Sequence, residues 1–359
     1  VTTRLYLRPT AFVDAPFGLD GRCLRLAGGL VWFAAVEAIR VENGRRVATE
    51  LVPVDRLDTL GADATPILAR LTAPRPPLIL GARVLRFDQP QVMAILNMTP
   101  DSFSDGGRHA APEDAAAAGI DMAAEGAAII DIGGESTRPG APPVWQDDEI
   151  ARTVPVVERL AAAGIALSID TRKAAVMAAA LAAGAHVVND VSALTWDAEA
   201  LALVAAAGCP VVLMHHQGTP ETMQQAPRYG DALIEVYDWL AARIAACEAA
   251  GIARTRILVD PGIGFGKMLA HNLALVNGLA LLHGLGCPIV LGASRKRTIG
   301  ALSNEAPVEK RLGGSIAFAL AGAAQGAQWL RVHDVPETVQ ALRIWRGLRD
   351  QALTPPAAL

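Results

Sequence analysis

The residues best suited to chemistry in this chain stand at the ends of short apolar runs. Asn97 follows VMAIL, Asp131 lies in AAIIDIGG, Asp170 follows ALSI and Asn189 lies in HVVND. Gln217 follows PVVLMHH, Asp260 follows ILV, Lys296 follows PIVLGASR and His333 follows WLRV. A carboxylate at the bottom of an apolar pocket is costly unless it is hydrogen-bonded. A flat heterocycle with an amino group beside a ring N–H offers two parallel donors to such a carboxylate. An asparagine can donate and accept at a neighbouring edge. Asp170, Asn189 and Asp260 therefore read as a recognition set for a nitrogen heterocycle. The alternative is that they stabilise a barrel mouth through backbone amides.

Other residues suit an anion and a cation. Arg331 and His333 are two apart on one strand and point to the same face. With Ser294-Arg295-Lys296 nearby they form a candidate clamp for a diphosphate. The stretch Asn97 to Gly107 is rich in side-chain oxygens, with Asn97, Asp101 and Asp105 as candidate ligands of a hard cation. Mg2+ fits, because it commonly takes one or two protein oxygens and leaves the rest of its shell to water and phosphate; a solvated turn is the alternative. A second glycine-rich stretch, Gly133 to Gly140, brings Arg138, and the two loops read as lids that exclude water. Gly262-Ile-Gly-Phe-Gly-Lys267 lacks the glycine and the hydroxyl residue that a phosphate-binding loop requires, so it reads as a tight turn. His215 and His216, as neighbours on a strand, would face opposite ways and share no ion, one of them packing outside the barrel.

The elements that must position these residues alternate. Continuous apolar runs suit parallel strands covered on both faces. Between them lie alanine-rich helical stretches at 111–126, 144–164, 173–184 and 198–208, several closing on glycine. Eight such runs from residue 92 onward predict a (β/α)8 barrel, whose active site forms at the C-terminal rim of the strands. A doubly wound open sheet competes, but no G-x-G-x-x-G turn follows the first run. The chain has 359 residues, more than one barrel needs, and residues 1–85 read as a separate α+β unit preceding a barrel over 86–359. That unit shows strands in TRLYLRP, GLVWFAAVEAIRV and RRVATELVPV, a turn at Glu42-Asn43-Gly44 and a helix near 64–73. Residues 73–77 read as a stiff linker, and Arg83–Gln91 as a hairpin closing the barrel floor. Every candidate chemical residue lies after position 96, so the N-terminal unit is expected to be dispensable for turnover.

Bulk properties exclude several classes. The net charge is −4 with no basic run, which gives no case for nucleic acid. No apolar stretch is long enough for a membrane span. Residues 1–10 lack a signal-peptide pattern, and Cys23, Cys209, Cys247 and Cys287 have no metal spacing, so a cytoplasmic protein with free thiols is expected.

The runs LNMTPDSFSDGG (96–107), DIGGESTRPG (131–140), Asp170-Thr171, Asn189-Asp190, Met214-His215, DPGIGFGK (260–267), Ser294-Arg295-Lys296 and RVHD (331–334) together resemble the bacterial dihydropteroate synthases. The resemblance covers about residues 90–350. Met98 and Ile263 depart from the usual pattern conservatively. It implies a transferase of folate biosynthesis, a sulfonamide target, that joins 6-hydroxymethyl-7,8-dihydropterin diphosphate to 4-aminobenzoate. By the same resemblance Asp170, Asn189, Asp260 and Lys296 hold the pterin, with Met214 lining its site. Asn97 and Asp105 hold Mg2+, and Thr137, Arg331 and His333 meet the diphosphate. Phe103, Arg138, Pro139 and Ser294 frame the aminobenzoate. Asn97, Asp105, Arg138, Lys296, Arg331 and His333 are the residues nearest the chemistry. A homodimer through barrel helices is implied too. A pterin-binding methyl-transfer domain or a non-catalytic pterin-binding paralogue is the alternative.

Overall fold

The computed structural model describes residues 3–98, 111–136, 143–218 and 226–354. Its centre is an eight-stranded parallel sheet. The strands are β7 (Gln91–Asn97), β8 (Ile129–Gly133), β9 (Leu167–Asp170) and β10 (Val187–Asp190), then β11 (Val211–Met214), β12 (Ile257–Asp260), β13 (Val290–Leu291) and β14 (Trp329–Val332). Each pairs with its sequence neighbour from β7 to β12. β14 returns to pair with β7 on one side and β13 on the other. A single bridge from Val259 to Ile289 joins β12 to the chain entering β13 and brings the ends of the sheet together. The result is a (β/α)8 barrel. Helices follow the strands: α2 (Pro112–Ala124), α3 (Gln146–Ala162), α4 (Ala174–Ala182), α5 (Ala200–Ala207), α6 (Ala232–Ala249), α7 (Leu269–Asn277), α8 (Arg297–Leu302), α9 (Leu312–Ala324) and α10 (Val335–Ala352). Alanine favours helix and lets these helices lie close to the strands. Gly208 closes α5 at φ 63, a left-handed turn open to glycine at little cost.

The strands look uniformly apolar in sequence, yet their two faces do different work. One face, including Val92, Ala94, Ile130, Ile132, Leu167, Ile169, Val188, Leu213 and Val259, packs under the helices. The other points inward, and its lower layer, from Met93, Ile129, Val187, Val212, Leu258, Val290 and Trp329, is a second apolar cluster. The floor is plugged by a hairpin of β5 (Leu78–Leu80) and β6 (Arg83–Leu85), which adds Leu78, Leu80 and Leu85 to that cluster. Phe87 packs on Trp329 with ring centroids 5.8 Å apart. A hairpin was expected at Arg83–Gln91. It lies several residues earlier, because the alternating apolar residues Leu78 and Leu80 supply its first strand.

The N-terminal residues form an antiparallel sheet of β1 (Arg4–Val13), β2 (Leu24–Arg25), β3 (Trp32–Glu42) and β4 (Arg45–Pro53), with β3 pairing all the others. Asn43 and Gly44, both at positive φ, make the tight turn between β3 and β4. One face packs on α1 (Thr65–Thr72) through Leu7, Val36, Ile67 and Leu71. The other contributes Tyr6, Ile39 and Val41 to the core shared with the barrel helices. The sheet thus lies against the side of the barrel, neither on its floor nor free. Residues 73–77 are likewise anchored: Arg75 is buried and donates to the His283 carbonyl at 3.1 Å.

Candidate active site

The inner face changes character two residues above the apolar layer. Because side chains alternate along a strand, Ile129 is followed on the same face by Asp131, Val187 by Asn189, Leu258 by Asp260 and Trp329 by Arg331. Asp170 and Ser168 share this face on β9. Register aligns the top of the layer: Asn97 pairs with Gly133, Gly133 with Asp170, Asp170 with Asn189, and Met214 with Asp260. The position of Gly133 lies between Asp170 and Asn97: a Cβ there would be 3.5 Å from the Asp170 Cβ and 3.6 Å from Asn97 Oδ1.

Arg331 organises the centre. Its Nε donates to Asp131 Oδ2 and its Nη2 to Asp170 Oδ2, each at 2.6 Å. Asn189 Nδ2 donates to the same Asp131 oxygen at 2.9 Å. The two carboxylates hold the guanidinium well above its ordinary pKa, against the opposing effect of burial. Asp170 is pushed up to about 7, chiefly by burial, with Arg331 pulling the other way and Asp131 adding to the rise. Asp131 Oδ1 and Asp170 Oδ1 are buried without a hydrogen-bond partner among the described residues. A buried acceptor left unpaired costs roughly 1–3 kcal/mol or more, and native proteins keep such groups chiefly where a ligand or water completes them. Asp260 is raised too, mainly by burial, while the Gly262 N–H donated to its Oδ1 at 2.7 Å lowers it.

The wall beyond Asp260 is the turn 261–267. Gly262 sits at φ 69, and a Cβ there would fall 1.9 Å from the His215 carbonyl oxygen. Lys267, buried, donates from Nζ to the Phe265 carbonyl at 2.9 Å and the His215 carbonyl at 3.2 Å, and meets His215 Nδ1 at 2.8 Å. Burial lowers Lys267 to about 7 and His215 to about 2, so the imidazole is neutral near pH 7. The Lys296 ammonium lies 4.0 Å from the centre of the Phe265 ring. Across the rim, Ser294 Oγ and His333 Nδ1 are 3.1 Å apart, which joins the ends of β13 and β14. Behind β8 and β9, Glu135 pairs with Arg172 at 3.0 Å and Lys173 at 3.1 Å, and Lys173 also bonds Glu149. This buried network ties the base of the second loop to α3 and to the chain after β9.

A model of the pterin binding enzymes matches residues 93–333, which span all of these positions. The dihydropteroate synthase of Escherichia coli K12 is 49% identical over 261 residues, covering 72% of this chain and 92% of that protein. That of Neisseria meningitidis serogroup B is 48% identical over 266 residues, 73% of this chain and 93% of its own. The chain belongs to the dihydropteroate synthase family. Among solved structures, the Xanthomonas albilineans dihydropteroate synthase with 4-aminobenzoic acid superposes with a TM-score of 0.73 at 49% identity, over 78% of this chain and 100% of that one. The same organism's enzyme with 7,8-dihydropteroate gives 0.70 at 47% identity, over the same shares. The family match begins at Met93, so the N-terminal sheet lies outside it.

Within this family frame, Asn97, Asp170, Asn189, Met214, Asp260, Lys296, Ser294, Arg331 and His333 stand on strand ends or in the loops just beyond them, around one rim. Phe103, Asp105, Thr137, Arg138 and Pro139, and Asp101 with them, lie outside the described residues. Gln217 does not converge on the centre: its amide pairs with the Arg228 backbone, accepting from N–H at 3.1 Å and donating to C=O at 3.2 Å. His215 and His216 stand just beyond β11, so strand alternation does not separate them. Both rings approach Trp239 edge-on, at 4.9 and 6.0 Å. Among the described residues no His, Cys, Asp and Glu cluster suits a metal held by protein alone. Asp131 as an inner partner of Arg331, and Lys267 as the pin of the turn, were not foreseen. The sole sequence signal for either was an ionisable residue inside an apolar or glycine-rich run.

Proposed function

We propose that this chain condenses 6-hydroxymethyl-7,8-dihydropterin diphosphate with 4-aminobenzoate to give 7,8-dihydropteroate and diphosphate, the dihydropteroate synthase reaction. The observation that carries this reading is the polar layer above an apolar barrel floor. Among the described residues, its buried Asp131 Oδ1 and Asp170 Oδ1 lack hydrogen-bond partners, and Asn189 and Asp260 share the layer. The dihydropterin edge, with amino and ring N–H donors, supplies the protons those carboxylates need. Asn189 and Lys296 meet its acceptors.

In the reaction the bond between the methylene carbon and the diphosphate oxygen breaks, and the aminobenzoate nitrogen takes its place on carbon. That nitrogen then loses a proton. The electron-rich ring disperses the positive charge left on the methylene, so no activated nucleophile is required. Asp170 and Asp260 stabilise that charge by their negative field. Arg331 has five N–H donors and uses two on carboxylates, which leaves donors for the departing anion. His333, held by Ser294, stands beside it. Asn97, with Asp105, would hold a Mg2+ ion, which would supply positive charge opposite the departing diphosphate. Thr137 belongs with Arg331 and His333 at the diphosphate, and Phe103, Arg138, Pro139 and Ser294 with the aminobenzoate. The barrel holds both partners in line, which supplies much of the rate through orientation.

A homodimer through the outer helices goes with this assignment. The exposed side chains of Leu302, Val308 and Leu312, around α8 and α9, support it. No helix of the described residues is long and apolar enough to cross a membrane. The reading is tested by release of diphosphate from the pterin substrate in the presence and absence of 4-aminobenzoate and Mg2+. Release without need of 4-aminobenzoate would refute the condensation.

A further inference from the structure

We infer that the N-terminal sheet braces residues 228–231, the chain entering α6 on the catalytic rim, with Arg46 as the positioning residue. This rests on the rim being the pterin diphosphate site, as proposed above. The sheet meets α6 at two levels. Arg4 pairs with Asp238 at 2.8 Å, Tyr6 Oη bonds the same carboxylate at 2.8 and 2.9 Å, and the Tyr6 ring packs edge-on against Tyr237 at 5.3 Å. These contacts fix the body of the helix. Two turns nearer the rim, about 10 Å along the axis, Arg46 at the start of β4 holds Asp231 through both carboxylate oxygens. Nε bonds Oδ2, and Nη2 bonds Oδ1 at 3.3 Å.

Asp231 is the N-cap of α6 and accepts the Ile234 N–H at 3.3 Å. A carboxylate at a helix N-terminus is favoured without any cation. The helix therefore has no need of Arg46, whose effect is to tether the segment just before it. That segment is stitched to the site from its other side. Gly230 and Asp231 donate their N–H groups to Glu235 Oε1 at 2.6 and 2.9 Å. Tyr229 Oη donates to the Gly266 carbonyl at 2.8 Å, and Gln217 holds Arg228. Gly266 belongs to the turn that carries Phe265 against Lys296 and Lys267 against His215. A continuous set of bonds thus runs from the β3–β4 hairpin to the wall of the proposed pterin site. The hairpin lies outside the family match, so the brace is an addition of this chain to the common barrel.

The test uses the full chain and steady-state kinetics with both substrates and Mg2+. Arg46→Met should raise KM for the pterin diphosphate about two- to fivefold, the range open to a partly exposed ion pair, with kcat unchanged. Arg46→Lys should restore most of the loss. Asp231→Asn, which keeps a capping oxygen, should match Arg46→Met, and the double variant should be no worse than either. Arg4→Met removes an ion pair to the same helix below the rim and should leave KM unchanged. A wild-type KM in Arg46→Met, or an equal rise in Arg4→Met, would overturn the brace. Should the unmodified protein show no turnover, the proposed function fails on its own. Amide hydrogen exchange at Gly230 and Asp231 then decides the brace: faster exchange in Arg46→Met but not Arg4→Met supports it, and unchanged exchange refutes it.

Discussion

Replacing Asp170 with asparagine should weaken pterin binding and stabilise the free protein. Oδ2 of Asp170 accepts from Arg331 at 2.6 Å, and an amide oxygen can keep that bond. Oδ1 is buried without a partner among the described residues, and it is the oxygen a pterin N–H would meet in the proposed complex. The substitution puts an NH2 donor near that position or removes the charge there. The loss of one charge-assisted hydrogen bond is roughly 1.5–3 kcal/mol, or roughly ten- to a hundredfold in Kd. Stability moves the opposite way. The folded carboxyl is raised to about 7, above an ordinary value of about 3.9. A raised acid holds its proton in the folded state while the unfolded chain has lost it. Asp170 therefore costs stability progressively as pH rises from about 4 to about 7, and in full above that. Three pH units correspond to up to roughly 4 kcal/mol. Asp170→Asn should raise Tm at pH 8 and leave it nearly unchanged at pH 4. Calorimetric titration with a pterin and thermal unfolding at both pH values measure the two effects. Unchanged pterin affinity would refute the assignment of Asp170, and a Tm gain larger at pH 4 than at pH 8 would refute the electrostatic reasoning.

The rest of the inner layer gives sharper failures. Arg331→Met leaves Asp131 and Asp170 buried without their cation, so a destabilisation of about 3–5 kcal/mol is expected, read by urea unfolding. A loss under about 1 kcal/mol would mean that the pair is not the structural centre of the site. Gly262→Ala has no room for its methyl group beside the His215 carbonyl and should yield little folded protein; normal expression and melting would contradict the turn geometry. In wild type, kcat/KM for the pterin substrate should fall as pH drops below about 7, as Asp170 takes up its proton, and this limb should flatten in Asp170→Asn. A limb that persists there belongs to another group.

Strand order and rim were legible because buried parallel strands are apolar throughout and end on polar residues. That same uniformity hid the direction of each side chain. Nothing in IIDIG says that Asp131 faces inward beneath the rim while Ile130 and Ile132 face the helices; the β8–β9 register decides it. The pairing of Arg331 with Asp131 spans 200 positions, and no local period announces it. The network of Glu135, Arg172, Lys173 and Glu149 was invisible for the same reason. Lys267 was legible as a misfit to a phosphate loop, and its role as the pin between β11 and β12 required the packing. In the N-terminal unit the strands and the turn at Asn43-Gly44 followed from alternation and turn chemistry. Its docking on α6 did not, since Tyr6, Ile39 and Val41 read as one face of a sheet with no stated partner.

The most direct test of the whole account is a two-substrate assay on the full chain that follows both products. With Mg2+, the pterin diphosphate and 4-aminobenzoate should yield dihydropteroate and diphosphate in equal amounts, and omitting any one of the three should abolish dihydropteroate. Diphosphate formed without dihydropteroate, or pterin bound tightly with no product under these conditions, would contradict the assignment of this barrel as a condensing enzyme.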